Sequence, residues 1–280
     1  MKKAKVKVPA KINLTLDIEG VKEGYHVLES LVASVDIYET VCVKARKDNI
    51  IKVVFNGLPI GLNGKQSNAY YAAECFKKEF GTGGTDIYIE RNIPVGAGLG
   101  SSSADIAGVL SAMRKLYKVN RDVTYIANGL GSDVAYMLKG GFAVMRGRGE
   151  RVEQIEGIKR RFYLLIVTGK SGVSTVESYK GFDKIGKLYP KNTSAAVSLL
   201  KEDDPDNFFT VLKNDLYESS ATILPEIKET LDLLKQYGAA VMTGSGSAVY
   251  GIYATKKERD KAYKIFYPDF GDRMIKAQTV

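Results

Sequence analysis

The sequence predicts an α+β protein of two domains. Segments with strand-like alternation and segments with helical periodicity follow one another without the strict alternation of a doubly wound sheet. The 280 residues correspond to about two domains of ordinary size. Hydrophobic residues make up 45% of the chain and charged residues 26%, a balance typical of folded globular proteins.

The chain is predicted to begin with strands. The first covers residues 4–18, with alternating apolar residues on one face, and two more cover residues 35–46 and 50–55. Glycines and a proline predict an irregular connection over residues 57–64. A helix follows over residues 68–80, because this stretch is rich in Ala, Glu and Lys and a glycine-rich segment stops it.

A strand over residues 85–90 leads into a glycine- and serine-rich loop, residues 94–105, and then into a helix. Apolar residues recur in this helix at helical spacing, and the serines before it are typical N-cap residues. The apolar positions are Ile106, Val109, Leu110, Met113 and either Leu116 or Tyr117. A further strand is predicted over residues 142–145, after two glycines.

The second half is predicted to contain a strand over residues 162–167, two or more helices and a pair of strands. The helices cover about residues 206–218 and 224–236, and Gly244-Ser245-Gly246 separates a strand over 239–243 from one over 247–253. We place the domain boundary in the segment before residue 162, which gives an N-terminal domain, residues 1–157, and a C-terminal domain, residues 158–280.

Composition excludes several classes of site. The chain has one histidine, His26, and two cysteines, Cys42 and Cys75, so neither a Cys/His zinc tetrad nor a scaffold of several disulfides can be built. The net charge of +9 favours anionic partners such as nucleic acids, a membrane surface or phosphorylated small molecules, but a lysine-rich solvated surface explains it better than a nucleic-acid footprint does. No apolar stretch is long enough for a membrane span, and we expect a cytoplasmic location.

The loop over residues 94–105 carries the clearest chemical signal. Glycines at positions 96, 98 and 100 allow positive φ and a close approach of the backbone to a ligand. Serines follow, and a helix then begins, where free N–H groups and the helix dipole favour an anion such as a polyphosphate. The simpler interpretation is a glycine turn capped by serine, but it leaves the combined pattern unexplained.

The common phosphate-binding motifs do not fit this loop. The loop has no lysine where a Walker A motif requires one, and it has Ser101 where a Rossmann fingerprint has its third glycine. The His-Arg-Asp motif of protein kinases is absent from the sequence, and Asp-Phe-Gly occurs only at residues 269–271, too late for an activation segment to follow. The pattern Pro-x-Gly-x-Gly-Leu-Gly-Ser-Ser resembles the phosphate loop of the GHMP kinases. The resemblance implies ATP binding by Pro94, Val95, Gly96, Ala97, Gly98, Leu99, Gly100, Ser101, Ser102, Ser103 and Ala104.

Further motifs resemble one branch of that superfamily, the 4-diphosphocytidyl-2-C-methyl-D-erythritol kinases. They occur in order along most of the chain: Pro9-Ala10-Lys11-Ile12-Asn13-Leu14, Gly24-Tyr25-His26-Val27-Leu28, Gly131-Ser132-Asp133-Val134, Gly147-Arg148-Gly149-Glu150, Asn214-Asp215-Leu216 and Met242-Thr243-Gly244-Ser245-Gly246-Ser247-Ala248. The chain departs from the usual family pattern at Ser101-Ser102-Ser103-Ala104-Asp105, where Gly-Gly-Ser-Ser-Asp is common, and at Ala135-Tyr136, where Pro-Phe is common.

The resemblance implies a two-domain α+β GHMP kinase fold with the active site in the cleft between the domains. It also implies an ATP-dependent kinase that acts on the 2-hydroxyl of the cytidine diphosphate-linked methylerythritol. Asp133 would accept the hydroxyl proton, with Lys11 beside it, and Mg²⁺ would accompany the nucleotide. The simpler interpretations are a helix N-cap for Asp133 and a solvated strand lysine for Lys11. The metal ligands stay unknown, since Ser102 and Ser103 fit N-capping as well as Mg²⁺ binding.

The resemblance also implies the substrate contacts. Tyr25 would stack on the cytosine, His26 would bond its edge, and Tyr179 or Phe182 would cover its second face; turn and core packing are the simpler interpretations. Asn13 would bind the sugar or diphosphate, with a strand-edge amide as the alternative. Gly244 and Ser245 would close over the phosphates or merely make a turn, and Thr175 completes the set of predicted contacts.

We therefore expect a small-molecule substrate, no nucleic acid, no membrane, and a monomer or weak homodimer. The alternatives are another GHMP small-molecule kinase, of the homoserine or mevalonate type, and a basic nucleic-acid-binding protein. The +9 charge motivates the last alternative, but the chain lacks the interleaved aromatic and basic residues of a single-strand binder.

Overall fold

A computed structural model describes residues 2–57 and 64–280, and the strands and helices over these residues confirm the α+β class. The predicted irregular connection over residues 57–64 lies largely outside the described residues. The strands are β1 (Lys3–Asn13), β2 (Thr15–Lys22), β3 (Tyr25–Ala45), β4 (Ile51–Gly57), β5 (Thr85–Arg91), β6 (Phe142–Gly147), β7 (Arg151–Gln154), β8 (Tyr163–Val167), β9 (Lys213–Asn214), β10 (Ala239–Met242), β11 (Val249–Tyr253) and β12 (Met274–Gln278). The helices are α1 (Asn68–Phe80), α2 (Ser101–Tyr117), α3 (Thr124–Leu130), α4 (Val134–Met137), α5 (Thr175–Ile185), α6 (Thr193–Lys201), α7 (Pro205–Thr210), α8 (Tyr217–Ile223), α9 (Glu226–Lys235) and α10 (Lys256–Phe270).

The chain forms two compact units that interleave along the sequence. The first unit contains Met1–Ala10, Ile37–Val95 and Gly100–Gly140. The second contains Lys11–Asp36, Gly96–Leu99 and Gly141–Val280. These units are defined by contacts, and the predicted sequence boundary between residues 157 and 158 stays a prediction.

The first unit combines a sheet with a layer of helices. β4 runs parallel to β5, which pairs antiparallel with the later part of β3, and β1 also pairs with β3. Helix α1 has the predicted bounds because the Ser67 side chain accepts a hydrogen bond from the Tyr70 amide and Gly81 ends the helix at a φ of 61°. Helix α2 lies close to the sheet, since a Cβ at Gly108 would lie 2.4 Å from the side chain of Val41.

The second unit contains part of the eight-stranded sheet to which β3 belongs and a separate four-stranded sheet. In one, the early part of β3 pairs antiparallel with β2 and β6, β6 pairs with β7, and β2 pairs in parallel with β9. The other has the antiparallel order β10-β11-β8-β12. Helices α9 and α10 contact this sheet and contribute apolar residues such as Leu231 and Phe266 to the core.

Two predicted elements are divided in the structure. The strand expected over residues 4–18 forms β1 and β2, because the chain leaves the strand at Leu14, whose amide donates to the Leu31 carbonyl. The helix expected over residues 206–218 is wrong. It is interrupted by β9, whose two residues pair with Thr15 and Leu16 at the other end of the sequence.

The predicted serine cap of helix α2 is also wrong, since Gly100 occupies the N-cap position with a φ of 82°. The serines form the first helical turn instead. Among the described residues, no helix has both the length and the apolar character needed to span a membrane.

Candidate active site

The predicted phosphate loop has the backbone that its glycines suggest. Gly96, Gly98 and Gly100 have φ values of 69°, 76° and 82°, in the left-handed region that favours glycine. The first helical hydrogen bond of α2 joins the Ala104 amide to the Gly100 carbonyl. The amides of the preceding turn therefore have no intrahelical acceptor, and this helix end is suited to an anion.

A second glycine turn packs against this loop within the second unit. A Cβ at Gly98 would lie 2.1 Å from the Thr243 carbonyl oxygen, and a Cβ at Gly244 would lie 3.0 Å from the Gly98 Cα. The Ala248 amide donates to the Ala97 carbonyl at 3.2 Å. The two loops therefore contact each other through backbone, and a side chain at Gly98 has no space.

Buried charged residues support the start of α2 from inside the first unit. The Ser101 hydroxyl donates to one Glu39 carboxylate oxygen at 3.1 Å, and the Asn92 amide donates to the other at 3.0 Å. Arg91 forms an ion pair with Asp105. Burial, with Asp105 nearby, raises the pKa of Glu39 to about 7, and burial raises the pKa of Asp105 to about 6.

Sequence reasoning missed Glu39, Arg91 and Asp105. The available signal was the presence of charged residues in predicted apolar elements, because Asp105 stands on the buried face of α2 next to Ile106.

The Ser101 hydroxyl faces the Glu39 carboxylate. Ser102 accepts a hydrogen bond from the Asn68 side chain and keeps a second lone pair.

Lys11 and Asn13 form a buried polar centre in the second unit. Lys11 is 4% exposed, and its Nζ donates to the Asn13 Oδ1 at 2.7 Å. The same oxygen accepts from the Gly244 amide at 2.9 Å, while the Asn13 Nδ2 donates to the Ser30 hydroxyl at 2.8 Å. The solvated-lysine interpretation is therefore wrong. Asn13 holds both the lysine and the turn after β10, so it is more than a strand-edge amide.

Asp133 occupies the N-cap position of the short helix α4 and is half-buried. Its side chain makes no capping hydrogen bond to this helix within the described part of the chain. The capping interpretation thus fits its position but not its side chain. Asp133 belongs to the first unit and Lys11 to the second, and their joint catalytic role stays a prediction.

Three of the predicted base-recognition residues, His26, Tyr179 and Phe182, form an aromatic group in the second unit. His26 stacks on Tyr179, with ring centres 4.6 Å apart and planes 30° apart, and meets Phe182 edge-on at 6.2 Å. Tyr25 is 54% exposed, and the guanidinium carbon of Arg148 lies 3.8 Å from the centre of its ring. The structure thus brings His26 together with both candidates for the second stacking face.

The other predicted substrate contacts also meet in this unit. The hydroxyls of Thr175 and Ser245 are 3.0 Å apart, and the Ser220 hydroxyl donates to the Ser245 carbonyl at 2.9 Å. Asn214 donates its side-chain amide to the Gly244 carbonyl at 2.8 Å. The Asn-Asp-Leu motif therefore fixes the turn that carries Gly244 and Ser245.

A group of carboxylates in the second unit has its own partners. Asp17, Glu19 and Glu29 bring one oxygen each to within 4.8 Å of one another. One Asp17 oxygen lies 3.0 Å from the Lys213 Nζ, and the other accepts from the Thr193 amide. These contacts explain the buried Asp17 without a metal ion.

Two family models of the GHMP kinases match the sequence of this chain. Residues 67–143 match the GHMP kinases N terminal domain, and residues 196–272 match the GHMP kinases C terminal family. The chain is similar at a TM-score of 0.76 to a homoserine kinase from Cytophaga hutchinsonii, 17% identical over 100% of this chain and 95% of that one, which shows the shared fold. The two family models and the fold thus show that the chain belongs to the GHMP kinases.

Relatives with higher sequence identity to this chain identify its family within the GHMP kinases. A 4-diphosphocytidyl-2-C-methyl-D-erythritol kinase from Desulfitobacterium hafniense is 38% identical over 92% of this chain and 89% of its own length. The crystal structure of a 4-(cytidine 5'-diphospho)-2C-methyl-D-erythritol kinase has a TM-score of 0.80 and 28% identity, with 98% of each chain covered. The chain belongs to the 4-diphosphocytidyl-2-C-methyl-D-erythritol kinase family, and the resemblance inferred from its motifs is confirmed.

Proposed function

We propose that this protein transfers the γ-phosphoryl group of ATP to the 2-hydroxyl of 4-diphosphocytidyl-2-C-methyl-D-erythritol. The observation that carries the proposal is the stacking of His26 on Tyr179, with Tyr25 next to His26 in the sequence, in a chain that also has the GHMP phosphate loop. Flat aromatic faces suit a nucleobase, and the glycine loop suits a polyphosphate. The family named above acts on a substrate that contains cytosine.

The reaction needs a proton acceptor and a positively charged environment for the transferred group. In this proposal the Asp133 carboxylate takes the proton of the substrate hydroxyl. The hydroxyl oxygen bonds to the γ-phosphorus while the bond from that phosphorus to the bridging β–γ oxygen breaks, and ADP leaves with the electron pair. The Lys11 ammonium, held by Asn13, supplies positive charge toward the phosphates.

Mg²⁺ is expected with ATP, where it neutralises phosphate charge. The hydroxyls of Ser102 and Ser103 are oxygen donors of the type that Mg²⁺ accepts, and they belong to the helix end that follows the glycine loop. Glu39 and Asp105 suit this role less well, because their carboxylates bind Ser101, the Asn92 amide and Arg91.

The location and partners follow from the proposed substrate. We expect a cytoplasmic enzyme, because both ATP and a nucleoside diphosphate derivative are water-soluble metabolites. The proposal includes no nucleic-acid partner and a monomeric or weakly dimeric state, which sedimentation can measure.

A substrate panel tests the proposal. Purified protein is incubated with ATP, Mg²⁺ and one acceptor at a time: the cytidylyl substrate, homoserine or mevalonate. We expect phosphorylation of the cytidylyl substrate alone. Phosphorylation of homoserine or mevalonate instead would assign the chain to another GHMP activity. Tight binding of random RNA with a steep salt dependence, and no kinase activity, would favour the nucleic-acid alternative.

A further inference from the structure

The histidine of the base-recognition group has a partner that its motif does not contain. The His26 Nε2 lies 2.7 Å from the Asp183 Oδ1. The His26 side chain is 16% exposed and the Asp183 side chain 53% exposed, so the bond lies at the edge of the buried part of the second unit. Asp183 lies outside the Gly-Tyr-His motif, 157 positions further along the chain.

One face of helix α5 holds the imidazole in three ways. Tyr179, Phe182 and Asp183 stand at positions i, i+3 and i+4, which place their side chains on the same side of a helix. Tyr179 covers a face of the ring, Phe182 meets it edge-on, and Asp183 binds one nitrogen. Stacking alone is compatible with both ring orientations that differ by a 180° flip about χ2, and the hydrogen bond to Nε2 favours one of them.

The chemistry of the carboxylate also selects the tautomer of the histidine. An ionised carboxylate has only acceptor oxygens, so the nitrogen that faces it must carry the proton. In neutral His26 the proton is then on Nε2, and Nδ1 has a lone pair that can accept a hydrogen bond. An acceptor of this kind matches a donor on a base, such as the exocyclic amino group of cytosine.

We propose that Asp183 is a positioning residue for base recognition: it fixes the orientation of His26 and holds it as the Nε2–H tautomer, with Nδ1 as the acceptor offered to the cytosine amino group. This inference rests on the proposed function, since it assigns a role within the cytidylyl site. Asp183 acts through His26 and takes no part in phosphoryl transfer.

The single histidine makes the tautomer directly measurable. Labelling with ¹⁵N-histidine gives the two imidazole nitrogens of His26 as the only side-chain signals of this type. At a pH where the ring is neutral, we expect a protonated Nε2 and an unprotonated Nδ1 in the wild-type protein. Asp183→Ala should give a mixture of tautomers, and Asp183→Asn, which keeps a carbonyl acceptor, should retain the wild-type pattern.

Kinetics supply the second measurement. Asp183→Ala should raise the KM for the cytidylyl substrate about tenfold, the loss expected for one hydrogen bond of ordinary strength, and leave kcat and the KM for ATP within about twofold. Asp183→Asn should recover most of this loss. Asp232→Ala is the matched control, since Asp232 is 52% exposed and pairs with Lys228 on α9. It should resemble the wild type in both measurements.

The inference is overturned by a wild-type His26 with its proton on Nδ1, by an unchanged nitrogen pattern in Asp183→Ala, or by an unchanged KM in that variant. A wild-type protein that does not phosphorylate the cytidylyl substrate would contradict the proposed function instead. The nitrogen spectra would then still report whether Asp183 selects the tautomer.

Discussion

The contact between the two glycine turns makes a strong prediction for Gly98→Ala. The new methyl group would lie 2.1 Å from the carbonyl oxygen of Thr243, where ordinary contacts begin at 3.4 Å. The neighbouring atom belongs to backbone, so it cannot swing aside as the end of a side chain would. Either the phosphate loop or the turn after β10 must move by about 1 Å to restore a normal contact.

Two contributions set the size of the effect. Alanine at a φ of 76° costs about 1 kcal/mol, part of which is offset because alanine restricts the unfolded chain. Overpacking adds roughly 1–3 kcal/mol. We expect a total loss of about 2–4 kcal/mol, which lowers the Tm by roughly 3–7 °C in a protein of 280 residues.

Gly24→Ala separates these contributions. Gly24 has a φ of 78°, almost the same as that of Gly98, but a Cβ there would meet nothing within 4 Å. The control should therefore lose about 1 kcal/mol or less. Thermal unfolding and the KM for ATP are measured for both variants. Only Gly98→Ala should show a large decrease in Tm and a large increase in the KM for ATP. Equal Tm values and equal KM values for the two variants would refute the reasoning.

Four further predictions concern single side chains. Glu39 has a folded pKa of about 7, above its ordinary value of 4.5, so its stabilising contribution is complete below pH 4.5 and is lost as the pH rises through 7. The Tm of the wild type relative to that of Glu39→Gln should therefore fall from pH 5 to pH 8. The Tm of the wild type relative to that of Glu229→Gln, a change at an exposed position, should not fall over this range. Asn214→Ala removes three hydrogen bonds, two donated to carbonyl groups and one accepted from the Leu216 amide, and should cost about 2–3 kcal/mol in a denaturant titration; an unchanged midpoint would contradict this. Asp133→Ala should lower kcat at least about a hundredfold with the Kd for ATP unchanged, and equal turnover would remove it from catalysis. Tyr25→Ala should raise the KM for the cytidylyl substrate about tenfold in steady-state assays, and a loss confined to kcat would argue against stacking.

Local sequence signals predicted the elements that depend on local contacts. Helix α1 has the predicted bounds because Ser67 and Gly81 stand next to its ends, and α2 buries the predicted apolar positions. Helix α10 had an equally local signal that was missed: Thr255 and Glu258 form a capping box.

The errors occur where distant residues decide the structure. Lys213 and Asn214 pair with β2, about 200 positions away, so helical periodicity around them gives the wrong element. The buried Glu39 and the Asp183–His26 bond were missed for the same reason, since their partners are separated by 62 and 157 positions. The motifs named the residues of the candidate site, but they did not show what holds those residues in place.

Asn13 has a consequence for how the protein is made. Its side chain binds the amide of Gly244, 231 positions later, and its backbone carbonyl accepts from the hydroxyl of Tyr250. At ordinary translation rates, roughly ten seconds or more separate the emergence of these partners from the ribosome. Lys11, which Asn13 binds, is thus synthesised early but reaches its final surroundings late. A nascent chain interrupted before β11 would carry the proposed catalytic lysine without the turn that completes its surroundings.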